Sequence, residues 1–243
     1  MKDYRRKDGE RRLWYEPHEI ETIALDELTR ATCLPDQNAP DLTIDLERFL
    51  ENHLKVQLDQ HAALPAEVLG VTYFRRGAAP RIEINRDLTG LAIDEEDALP
   101  GDLGRWRATL AHEAAHVLLH RILYELDDMQ RGLFAATDTP PEDAKLHRCL
   151  KRDISLIGVA DWREVQANRG MAALLMPRPL FLGAAQAILA DTDRSSPLTA
   201  GSARHTALVE TLARRFSVSR QATAIRVETL GLLTPAAQPG LRL

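Results

Sequence analysis

Cysteine is almost missing from this sequence. Cys33 and Cys149 are the two it has in 243 residues, which excludes a disulfide scaffold and fits a reducing compartment. Long apolar runs are missing too. The longest, near Met171–Met176, is far too short to cross a bilayer. The first residues, Met1-Lys2-Asp3-Tyr4-Arg5-Arg6-Lys7-Asp8, are charged and lead into no apolar segment, so no secretory signal is read there. A cytoplasmic protein, with no membrane partner, is the expectation. No charge of one sign dominates: 31 Lys and Arg against 36 Asp and Glu leave a net −5. That argues against a protein whose main task is coating nucleic acid or anionic lipid. Histidine is scarce as well. With eight in the chain, two at a chemically meaningful spacing stand out.

What is present is ordinary globular material. Apolar residues make up 44% and charged residues 28%, enough for one large domain or two small ones. Pro17–Ala31 places Ile20, Ile23, Ala24, Leu28 and Ala31 at helical spacing, and Leu42–Leu54 reads as a second amphipathic helix. Lys55–Asp59, Val68–Arg75 and Arg81–Asn85 are strand-like. They predict two or three antiparallel strands with a hairpin near Gly77. A helix from Asp102 runs through Trp106, Leu110, Ala114, Val117 and Ile122, with Asp102 as its cap. Residues 127–160 are less regular and break at Thr139-Pro-Pro-Glu142. Trp162–Met176 is helical and stopped by Pro177 and Pro179. Asp191–Gly201 reads as a linker, Ala203–Leu233 as helical, and 234–243 as a tail. The fold class is α+β. Domain boundaries are expected at 1–201 and 202–243, with the second part a helical segment packed on the first.

The sharp signal is His112-Glu113-Ala114-Ala115-His116, inside the helix that starts at Asp102. Residues i and i+4 share one helix face at about 6 Å, so two imidazoles there can hold one metal ion. Glu113 is then placed to act on the bound water as general base and to pass the proton to a leaving amine. The plainer alternative is a polar helix face whose histidines pair with carboxylates. Catalytic zinc takes three protein ligands and a water, and Glu164-Val-Gln-Ala-Asn168 offers the third. Glu164 and Asn168 are again i and i+4. Glu164 is a candidate ligand, and Asn168 a candidate acceptor for the free N–H of a ligand imidazole. Taken alone, Glu164 would read as an acid favouring a helix N-terminus. The HExxH upstream moves the balance to metal.

Two stretches carry a family resemblance. Thr109-Leu-Ala-His-Glu-Ala-Ala-His-Val-Leu-Leu-His120 and Glu164-Val-Gln-Ala-Asn-Arg-Gly-Met-Ala-Ala-Leu-Leu-Met-Pro177 resemble the paired signatures of the ImmA/IrrE metallo-endopeptidases. The likeness spans roughly residues 17–233. It implies a minimal thermolysin-like zincin with a small antiparallel sheet, an active-site helix and C-terminal helix-turn-helix-like helices. It also implies His112, His116 and Glu164 as ligands of Zn2+ (with Mn2+ or Fe2+ as alternatives) and Glu113 as the base. The substrate implied is a partner transcriptional repressor, cut in a stress or mobile-element response. There are departures. Gly170 stands where the family often has Phe, Gln166 where a second Glu is frequent, and the connection 121–161 is longer than usual.

Lesser features complete the reading. His120 continues the motif helix, about 80° round from His112, and is expected to pack against the site or support a ligand. His147 and Cys149 are read as ordinary side chains rather than a second metal half-site or redox switch. A substrate peptide is expected to lie along an edge strand at Arg81, Glu83 and Asn85, by β-augmentation. The rival function comes from residues 204–226, where five Arg face one Glu around a Ser217-Val-Ser219 turn. Read alone, that segment predicts DNA contact. Repressor docking or internal packing is preferred, and a DNA-binding regulator or metal-stabilised adaptor is the alternative.

Overall fold

The computed structural model describes residues 2–5, 11–75, 77–94, 99–134, 145–150, 161–190 and 197–234. The Thr139–Glu142 break, most of the 191–201 linker and nearly all of the tail lie outside the described residues. The element order is β1 (Lys2–Arg5), β2 (Arg11–Trp14), α1 (Pro17–Arg30), α2 (Leu46–Arg48, continued by a wider turn over Phe49–His53), β3 (Gln57–Ala62), β4 (Val68–Phe74) and β5 (Arg81–Asn85). It continues with α3 (Arg86–Thr89), α4 (Pro100–Phe134), β6 (Lys145–Leu150), α5 (Trp162–Leu175), α6 (Arg178–Ala190), α7 (Ala203–Phe216) and α8 (Arg220–Thr229). Among the described residues no single helix is long and apolar enough to cross a membrane.

The main sheet has four strands in the order β3-β5-β4-β6. The β4–β5 hairpin is antiparallel, with Thr72 opposite Ile82, and turns near Gly77, whose φ of 68° suits glycine. Two expectations fail here. The sheet is mixed rather than antiparallel, because β3 pairs parallel with β5. The chain crosses over between β3 and β4, and Asn85 ties that crossover down. Its amide donates to the carbonyls of Leu64 (3.3 Å), Pro65 (3.1 Å) and Val68 (2.9 Å). The second failure follows from the first. With β3 on one side and β4 on the other, β5 is interior, so Arg81, Glu83 and Asn85 do not line an edge. Their side chains are engaged within the sheet: Arg81 with Glu83 at 2.7 Å, and Glu83 with the Tyr73 hydroxyl at 2.8 Å. The outer side of β4 is taken by β6, drawn from the long 121–161 connection, with Thr72 opposite His147. The side chains of His147 and Cys149 lie outside the described residues.

The helices form around this sheet for local reasons. Helix α1 starts with Pro17 at its first turn and a capping box in which the Glu16 N–H donates to Glu19. It buries Ile20, Ala24 and Leu28, one per turn. Helix α4 runs 35 residues, about 52 Å at the α-helical rise, and buries Trp106, Leu110, Ala111, Ala114, Ala115 and Val117 against the sheet and α5. Helix α5 is capped by Asp161, whose side chain accepts from the Arg163 N–H. One apolar core continues from Ile82 and Ile84 of the sheet through Leu110 and Leu174 to Leu212, Phe216 and Val227. The helices beyond residue 202 therefore share their core with the rest. Within them, Ser217 takes a left-handed conformation (φ 49°) and the Val218 N–H returns to the Ala213 carbonyl, ending α7.

Candidate metal centre

Three side chains meet where α4 crosses α5. His112 and His116 project from one face of α4 and Glu164 from the first turn of α5. His112 Nε2 lies 3.1 Å from His116 Nε2 and 3.0 Å from Glu164 Oε2, and His116 Nε2 lies 3.4 Å from Glu164 Oε1. Ligands at about 2.0–2.1 Å from a tetrahedral ion sit about 3.3 Å from one another, so these donors outline one face of such a polyhedron. The donor set, two imidazoles and a carboxylate, also suits zinc chemistry. All three residues are buried, the most exposed being Glu164 at 9%. The residues fit a divalent ion.

Neighbouring groups set the protonation of this cluster. Burial alone pushes His112 down. The hydrogen bond that His112 donates to Glu164, with the charges of Glu113 and Glu164, outweighs it, and His112 ends above the ordinary imidazole value. For His116 burial prevails and its value is lowered. Burial would raise Glu164, but hydrogen bonds to both imidazoles hold its carboxyl well below the usual carboxylate range. The carboxylate therefore stays ionised, as a metal ligand must.

The surrounding layer orients the rings. His112 Nδ1 lies 3.1 Å from Asn168 Oδ1, one turn beyond Glu164 on α5, so the amide oxygen accepts and Nε2 faces the centre. His116 Nδ1 lies 3.1 Å from His120 Nδ1, and the His120 ring meets Trp162 edge-on. Glu113 is fully buried beside His112, and its carboxylate meets β4. There the Thr72 hydroxyl donates to its Oε2. Gly70, two residues earlier on the same face of β4, leaves the space for this carboxylate: a Cβ there would come within 2.9 Å of Glu113 Oε1 and 2.9 Å of Thr109 Cγ2. Thr72 and Gly70 carry no sequence motif. Their role depends on β4 docking across α4, which local patterning does not report. Glycine against glutamate across the strand–helix interface leaves no periodic signature either.

Comparison with known families bears on this geometry. The family profile described as the IrrE N-terminal-like domain, Peptidase_M78, matches residues 158–228. This match supports an ImmA/IrrE family metallopeptidase. It covers α5 with Glu164 and Asn168, then α6, α7 and nearly all of α8, so the C-terminal helices lie within the matched segment. No curated protein matches the chain. The HExxH lies outside the matched segment, and what joins it to the ImmA/IrrE match is the observed convergence of His112 and His116 on Glu164. Of the residues expected at the site, the structure brings together His112, Glu113, His116, His120, Glu164 and Asn168. Arg81, Glu83 and Asn85 stay in the sheet.

Proposed function

We propose that this protein is a zinc-dependent endopeptidase that cuts a helix-turn-helix transcriptional repressor in the cytoplasm, as part of a stress or mobile-element response. The observation that carries the reading is the convergence of two imidazoles and a carboxylate beside a fully buried glutamate. His112, His116 and Glu164 would hold the ion. When bound, it supplies Lewis acidity that makes water a better nucleophile and polarises the scissile carbonyl. Glu113 takes the proton of the attacking water on its carboxylate, whose Oε2 is held by the Thr72 hydroxyl. As the C–O bond forms and the C–N bond breaks, Glu113 passes that proton to the leaving nitrogen. Asn168 and His120 keep the two ligand rings in one tautomer and orientation through their Nδ1 atoms.

Arg204, Arg215 and Arg226 of the C-terminal helices support packing over DNA contact. Arg226 is buried and bonded to Glu21 and the Met176 carbonyl. Arg215 donates to the carbonyls of Ala39 and Pro40, Arg220 to Glu210, and Arg204 to the Leu189 carbonyl. The direct test incubates the zinc-loaded protein with a candidate substrate, any helix-turn-helix repressor encoded beside its gene. Cleavage is expected for the wild type, and for Glu113→Gln a loss of about 10²–10⁴-fold, the usual contribution of a general base, with zinc retained. Equal cleavage by Glu113→Gln removes the mechanism.

A further inference from the structure

We propose that Thr72 is a positioning residue for Glu113, with Gly70 as the gap that lets it act. The inference rests on the peptidase reading above and deepens it. Residues 70 and 72 point to the same face of β4, and that face abuts α4 at Glu113. One oxygen of the carboxylate, Oε2, accepts the Thr72 hydroxyl proton. The other, Oε1, occupies the space that any Cβ at position 70 would enter. Thr72 is fully buried, so no water competes for its hydroxyl, and its β-branched side chain has few rotamers to choose from. The strand thus fixes the carboxylate twice over: Thr72 holds Oε2, and the missing Cβ of Gly70 makes room for Oε1. A base held this way spends no conformational freedom in reaching its proton, which is the advantage of a preorganised site. The hydroxyl also contributes a hydrogen bond to an ionised group in a dry place, one of the stronger kinds.

The test compares Thr72→Val, which keeps the shape and removes the donor, with Thr72→Ser, which keeps the donor. Each is loaded stoichiometrically with Co2+, and acetohydroxamic acid binding is followed by the cobalt absorption. A hydroxamate presents an acidic O–H that the base can accept, so it reports the Glu113 carboxylate without any cleavage. Expected are metal content and melting temperature of the serine variant close to wild type, and acetohydroxamate affinity about tenfold weaker or more in the valine variant, the scale of one lost hydrogen bond to a charged group. Serine should restore it. With repressor as substrate, the same variants should show the loss in kcat while KM is kept. Unchanged hydroxamate affinity and unchanged kcat in Thr72→Val overturn the proposal. So does loss of metal or of folding shared by the valine and serine variants, which would make the contact merely structural. If hydroxamate binding depends on the hydroxyl but no repressor is cut, the positioning role stands and the substrate assignment falls.

Discussion

Asn168 shows how much of the centre depends on groups that never touch the ion. Its amide oxygen is the acceptor for His112 Nδ1 at 3.1 Å. Removing such a partner typically lowers metal affinity by 10–100-fold. Asn168→Ala should therefore bind zinc that much more weakly in a competition against a calibrated chelator, whereas Asn168→Asp, which keeps an acceptor, should bind close to wild type. Protons compete for the same nitrogens. His112 is held above its ordinary 6.5 by Glu164 and Glu113, so in the metal-free protein it gains its proton already above that pH. Lower pH means more protonated His112 and weaker metal binding. The apparent zinc affinity should fall as pH is lowered from 8, with the decline under way before pH 6.5. An affinity that is flat from pH 8 to pH 6 contradicts this coupling.

At the scale of elements, the crossing of α4 and α5 decides whether Glu164 reaches the histidines. Gly170 and Ala115 make that crossing close: a Cβ at position 170 would stand 2.7 Å from the Ala115 Cβ. Overpacking of this kind costs about 1–3 kcal/mol, more than the roughly 1 kcal/mol of helix propensity that alanine gains over glycine. Gly170→Ala should lower the melting temperature and weaken metal binding, and Ala115→Gly in the same chain should recover both. A double-mutant cycle measures that coupling. The sequence reveals such elements unevenly. Helices α1 and α5 are legible because their apolar periodicity is local and their ends carry Pro17, Pro177 and Pro179. The HExxH and ExxAN spacings are legible because i, i+4 geometry is set by the helix itself. Pairings between distant segments are not: the parallel β3–β5 partnership, the β6 strand on β4, and the His53–Glu27 contact at 2.6 Å all depend on tertiary docking. Residues 42–45 show the same limit. Their pattern reads as helix, yet the Leu42 N–H donates to the Arg215 carbonyl and α2 begins only at Leu46.

Across the whole molecule, Arg226 links parts far apart in sequence. From α8 it holds both oxygens of Glu21 on α1, one of them at 2.8 Å, and the carbonyl of Met176 at the end of α5. Breaking a buried ion pair from one side costs about 3–5 kcal/mol. The low end applies here, since the Glu21 side chain keeps 20% exposure. Arg226→Met should lower the unfolding free energy by about that amount, read as a urea midpoint moved down by the loss divided by the m-value, with the m-value itself unchanged. The pairing of Glu21→Gln with Arg226→Met should be less than additive.

The distance along the chain between the ligands has a thermodynamic side. An ion bound by His116 and Glu164 closes a loop of 164 − 116 = 48 residues, and so acts on the unfolded chain as a cross-link does. On the chain-entropy formula for a disulfide, a loop of that size corresponds to about 4 kcal/mol of denatured-state restriction. The dependence on length is logarithmic: doubling a loop adds only about 0.6 kcal/mol. The long connection between the two signatures can therefore grow, and contribute a strand to the sheet, while changing the strength of the staple very little.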